Sequence, residues 1–84
     1  VLKKTADLMR ERVETIARTL TMEQGKPVAE AKAEVLHSAD TFEWFAEEGK
    51  RAYGQVIPQS NPTKRHLTIK HPVGVVGAIG PWNF

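Results

Sequence analysis

Residues 73–79, Val73-Gly74-Val75-Val76-Gly77-Ala78-Ile79, limit the fold more than any other stretch. They are small or β-branched and apolar, with no polar residue among them. Such a run suits a pleated strand covered on both faces, as in the sheet of an α/β protein. Gly80-Pro81 then stops the strand. Trp82 and Asn83 fall just past its carboxyl end, where open α/β sheets place their ligands. The chain ends at Phe84, with no later element to complete a sheet.

Two helices are predicted before that strand. Leu2, Ala6, Met9, Val13, Ile16, Ala17 and Leu20 recur at spacings of three and four and make one apolar stripe. Glu14 and Arg18 stand four apart in the favourable order for a surface pair. Gly25 is placed to end this helix and Pro27 to start the next. The second helix is expected from about Pro27 to Ala52. Val28, Ala31, Val35, Ala39, Phe42 and Phe45 form its main stripe, and Ala33, Leu36 and Trp44 form a flanking face. More than one neighbour is therefore expected for it. Gly49 in its last turns costs about 1 kcal/mol against Ala, with no reason visible in the sequence.

Beyond Gly54 the pattern changes. Gln55-Val56-Ile57-Pro58 reads as a short or edge strand. Residues 59–63 carry turn chemistry, and Arg65 to His71 alternate polar and apolar. The two segments are expected to pair as a hairpin over 55–71.

Composition narrows the function. The chain has 84 residues, no cysteine and a net charge of +2. A chain of this size buries only about 60–65% of its unfolded surface, so a core of its own is marginal. No disulfide framework, thiolate metal site or cysteine nucleophile is possible within it. No apolar run reaches the roughly 18 residues of a membrane span, and no apolar region of signal-peptide length follows Lys3-Lys4. A cytoplasmic setting is the default. Lys64-Arg65-His66 is too short for a nucleic-acid patch and lacks stacking aromatics. His37, His66 and His71 share no metal-ligand spacing. Asp40, Glu43, Glu47 and Glu48 read as a solvated helix face, with Glu47 and Arg51 as a surface pair. Gly74, Gly77 and Gly80 stand three apart and do not make a phosphate-binding fingerprint. No cap precedes Leu2, and two lysines sit at the positive end of the first helix. The chain is therefore expected to be a piece of a longer protein, unable to fold stably alone.

Three stretches together carry a resemblance. Glu23-Gln24-Gly25-Lys26-Pro27, then Glu43-Trp44-Phe45-Ala46-Glu47-Glu48-Gly49-Lys50-Arg51 with Tyr53-Gly54, then Pro81-Trp82-Asn83-Phe84 after the apolar run, resemble the aldehyde dehydrogenase superfamily. The middle stretch is most similar to its succinate-semialdehyde dehydrogenase branch. The resemblance implies an α/β fold. Residues 1–84 would be the N-terminal part of the NAD(P)-binding domain: two amphipathic helices, a hairpin that helps join subunits, and the first strand of a Rossmann-like sheet. It also implies NAD or NADP as cofactor, a small aldehyde as substrate, and self-association as dimer or tetramer, with no nucleic acid or membrane partner. The implied chemistry is attack of a cysteine thiolate on the aldehyde, hydride passage to the nicotinamide, and release of the acid by an activated water. Nucleophile and general base would lie outside these residues, so residues 1–84 alone are expected to be inactive. By carry-over, Asn83 matches the asparagine whose side-chain N–H helps hold the substrate oxygen. Ile79, Gly80, Pro81 and Trp82, with Asn83, match the strand end along the nicotinamide half of the cofactor. Gly80 stands where many members carry Thr, Ser or Ile, and family contacts there run largely through the backbone.

Other readings remain open. From the residues alone, a buried Trp82 with Asn83 capping a following helix is the favoured reading, and the resemblance reverses that weighting. The chain could belong to a non-enzymatic homologue. It could also be a helical module that docks on a partner.

Overall fold

The computed structural model describes all residues, 1–84. Their order is α1 (Leu2–Glu11), α2 (Val13–Gln24), α3 (Val28–Glu48), a 3₁₀ turn (Gly49–Arg51), β1 (Gln55–Ile57) and β2 (His66–Thr68). The chain divides into two units, one of residues 1–50 with 81–84 and one of residues 51–80.

In the first unit the expected single helix over 2–24 is broken. Arg12 lies between α1 and α2 at φ −103°, ψ 16°, the sparsely populated bridge region. Hydrogen bonds Arg12 N–H to Leu8 O (3.0 Å) and Ile16 N–H to Arg12 O (3.1 Å) carry the ladder across the break. Neither Pro nor Gly marks the position. The apolar stripe survives it: Ala6 and Ala17 are fully buried, and Met9, Val13, Ile16 and Leu20 pack against Ala17, Ala31 and Val35. Alanine at these points lets backbones approach closely, and most of the core consists of it.

Gly25 ends α2 in the left-handed conformation, φ 88°, and its N–H bonds to Thr21 O at 2.7 Å. Gly tolerates this conformation without the Cβ clash other residues meet. Pro27, at φ −56°, stands just before α3, and its carbonyl accepts the N–H of Ala31 at 3.0 Å. Ala31, Val35 and Ala39 form the covered stripe of α3. The neighbours of α3 are α1 and α2, but they cover the main stripe only. Val28, Phe42 and Phe45 at its ends, and Leu36 and Trp44 on the flank, stay exposed. Gly49 falls where α3 tightens into the 3₁₀ turn, so the helix stops earlier than Ala52.

Ion pairs tie the helices. Arg10 donates to Asp40 (2.8 Å) and Glu43 (2.6 Å) on α3. Lys32 on α3 reaches Glu14 on α2 at 2.6 Å, so Glu14 pairs across the helices in place of the expected Arg18. Glu47 accepts from Lys50.

In the second unit β1 and β2 pair antiparallel, with Gln55 opposite Thr68, Val56 opposite Leu67 and Ile57 opposite His66. The hairpin is where the sequence puts it, though β2 covers only three of the seven residues expected, because β1 offers it three partners. Asn61 builds the turn: its side-chain oxygen accepts the Thr63 N–H at 2.9 Å and its carbonyl the Lys64 N–H at 3.1 Å. Both faces of the ladder are exposed.

The expected strand over 73–79 is not formed. The only sheet in the chain is β1–β2. A strand is held by its ladder, and this run finds no partner edge here; Val73, Val75 and Ile79 are exposed instead.

Candidate functional site

The site grows from the corner between α2 and α3. Gly25 reverses the chain and Pro27 fixes the entry to α3, so Lys26 is caught between them and turned inward. It is only 7% exposed. A buried ammonium needs partners for its charge and its three donors. Lys26 Nζ donates to Glu34 Oε2, two turns into α3, and to the backbone carbonyl of Asn83. The other oxygen of the same carboxylate, Glu34 Oε1, accepts the Asn83 N–H at 2.8 Å. Gln24 Nε2 donates to Phe84 O at 3.1 Å.

Three side chains thus hold the backbone of two consecutive residues. Both main-chain polar groups of Asn83 are occupied, while its side-chain amide makes no hydrogen bond within the chain. Lys26, and after it the Asn83 N–H, hold the Glu34 carboxyl below its ordinary value of 4.5, against the opposing effect of desolvation. The carboxylate therefore stays ionised at neutral pH. An open recess beside Asn83 is lined by Lys26, Glu34, His37, Ser38, Pro81 and Phe84.

Of the residues singled out in sequence, Pro81, Trp82 and Asn83 fall in the first unit, and Pro81 and Asn83 meet Lys26 and Glu34 there. Trp82 is half-exposed. Ile79 and Gly80 fall in the second unit, Ile79 fully exposed and Gly80 with open space where a Cβ would stand. Lys26 and Glu34 were missed as site residues. One signal was available: Glu34 lies three residues after buried Ala31 and directly before Val35, at the edge of the covered stripe. No three His, Asp or Glu side chains are grouped to hold a metal ion.

The sequence pattern of the aldehyde dehydrogenase family matches residues 1–84. The chain belongs to the aldehyde dehydrogenase family. It is similar to the succinate-semialdehyde dehydrogenase [NADP(+)] GabD of Escherichia coli (strain K12), with 52% identity over 84 residues, which are the whole of this chain and 17% of that protein. It is similar to the glutarate-semialdehyde dehydrogenase of Pseudomonas aeruginosa, with 53% identity over 83 residues, 99% of this chain and 17% of that one. Among solved structures it resembles an E. coli NADP-dependent enzyme at 51% identity and TM-score 0.76, over 84% of this chain and 15% of that one. The chain thus spans about a sixth of the length of these aldehyde dehydrogenase relatives.

Proposed function

We propose that residues 1–84 belong to an NAD(P)-dependent dehydrogenase that oxidises an aldehyde to a carboxylic acid. The substrate class is a short dicarboxylic semialdehyde, with succinate semialdehyde first. Both curated relatives described above are named for substrates of this kind, an aldehyde at one end and a carboxylate at the other. The name of one relative and the description of the solved neighbour favour NADP. No helix is long and apolar enough to cross a membrane; a cytoplasmic location is part of the proposal.

The observation that carries the reading is the state of Asn83. Its backbone is anchored at both ends and its amide is uncommitted. A neutral, fixed N–H donor suits a carbonyl oxygen that gains negative charge, because it needs no proton transfer at any working pH. By the resemblance of this stretch to the family, Ile79, Gly80, Pro81 and Trp82 are assigned to the nicotinamide half of the cofactor site. When bound, the nicotinamide accepts the electron pair leaving the aldehyde carbon. These residues contribute no phosphate cradle and no carboxylate for a ribose. Residues 73–79 are assigned to the cofactor-binding sheet, where neighbouring strands would cover them. The hairpin over 55–71, with both faces open, is assigned to subunit assembly as dimer or tetramer.

The test is direct. The purified full-length protein, given succinate semialdehyde and NADP or NAD, should form reduced cofactor and succinate in equal amounts. No turnover with succinate or glutarate semialdehyde and either cofactor would overturn the substrate class.

A further inference from the structure

We propose that Lys26 and Glu34 are positioning residues that aim the side-chain amide of Asn83, an inference that rests on the oxyanion role given to Asn83 above. The geometry points to it. An ion pair that only joined α3 to the corner before it would be complete with the Lys26–Glu34 contact. Here each partner also reaches the same third residue, and each takes a different main-chain group of it. Glu34 Oε1 holds the N–H of Asn83 at 2.8 Å, and Lys26 Nζ holds its carbonyl.

Fixing both groups of one residue fixes the orientation of its Cα and hence the direction of its Cα–Cβ bond. Only two side-chain torsions then separate a fixed backbone from a fixed amide, and each has few wells. A donor for a developing oxyanion must be held to within about 0.5 Å of its productive place, and a misplacement of about 1 Å can cost about a hundredfold in rate. No helix or strand covers residues 69–84 in this structure, and the hydrogen bonds from Lys26 and Glu34 are what hold the backbone of Asn83 here.

The chemistry of the pair suits the task. Hydrogen bonds to ionised groups are shorter and stronger than neutral ones. Glu34 lies against the buried Lys26, and the Glu34 carboxylate stays ionised at neutral pH. Both side chains hydrogen-bond the backbone of Asn83 and neither hydrogen-bonds its amide, so the pair acts through the backbone. Gln24 extends the same support by one residue, through Phe84 O at 3.1 Å.

The test is a double-mutant cycle in the full-length enzyme, reading kcat, the KM for the cofactor and the melting temperature. The variants are Asn83→Ala, Lys26→Met, and the two combined; Glu34→Gln, nearly isosteric and gentler on folding, is carried through the same cycle. Lys26→Met should lower kcat about tenfold or more in the wild-type background and less than twofold when Asn83 is already alanine. Glu34→Gln should show the same dependence with a smaller loss. Melting temperature should fall equally in both backgrounds, since that effect does not need the amide. A kcat loss of equal size with and without the Asn83 amide would overturn the positioning role. So would unchanged kcat for Lys26→Met and Glu34→Gln while Asn83→Ala is slow; that pattern leaves the oxyanion role standing. Unchanged kcat for Asn83→Ala itself would remove the oxyanion role, and the positioning role with it.

Discussion

A methyl group at position 54 tests how tightly the two arms of the hairpin are held. Gly54 precedes β1 and faces the end of β2. A Cβ built on it would lie 2.0 Å from the carbonyl oxygen of Thr68 and 3.1 Å from its carbon. Contacts below 3.0 Å do not occur between real Cβ atoms and their neighbours, so the arms would have to part by about 1 Å. The atoms in the way are backbone, so no rotamer can relieve the clash. The shift strains the bond from Gln55 N–H to Thr68 Oγ1, now 3.0 Å, and the pairing of Gln55 with Thr68. Overpacking of this kind costs about 1–3 kcal/mol. Two strands of three residues have little to set against that. In full-length Gly54→Ala, amides in 55–57 and 66–68 should exchange roughly fivefold to a hundredfold faster than in the wild type. Amides in α1 to α3 should be unaffected. Unchanged protection across the hairpin would show that the arms part at no cost, and the close approach would not be what demands glycine here.

Two further perturbations follow from the first unit. Gly25→Ala places a Cβ on a left-handed residue in open space, so the cost is conformational alone, about 1–2 kcal/mol, read as a lowered melting temperature. Glu34 gives a pH dependence. Its folded-state pKa lies below the ordinary value, so it stabilises the fold above that value and the contribution is lost as pH falls through the folded pKa. The melting-temperature gap between wild type and Glu34→Gln should be full above about pH 5 and shrink as the pH is lowered; a gap that widens in acid would contradict the assignment.

Much of the helical half was legible because burial writes a period into the sequence. Ala6, Ala17, Ala31, Val35 and Ala39 are all on the predicted stripes, and Gly25 ends its helix in the conformation only glycine adopts freely. The break at Arg12 was not legible, since the apolar stripe runs through it and no Pro or Gly marks it. The pair Glu14–Arg18 was the best local partner, but Lys32 from α3 is the one that reaches Glu14; sequence spacing describes a helix alone and not its neighbours. The run 73–79 has every local mark of a strand, yet a ladder needs a second edge, which local propensity cannot supply. The anchor of Asn83 was hidden for a related reason. Lys26 and Glu34 lie 57 and 49 residues from it in sequence, and a lysine before a helix and a glutamate two turns into it look like solvated surface until the chain returns to them.

The central claim is that Asn83 carries an oxyanion-binding amide, and kcat of Asn83→Ala in the full-length enzyme, measured beside its melting temperature, tests it most directly. Loss of one such donor lowers kcat by about 10²–10³, or roughly 3–4 kcal/mol. The account predicts a fall of that size, a cofactor KM close to that of the wild type, and a melting temperature nearly unchanged, because Lys26 and Glu34 hold the backbone of residue 83 and not its side chain. Asn83→Asp should be at least as slow, since it sets a carboxylate beside the developing charge. Wild-type turnover in Asn83→Ala, with a melting temperature lowered by the equivalent of about 1 kcal/mol, would contradict the account and make Asn83 a helix cap.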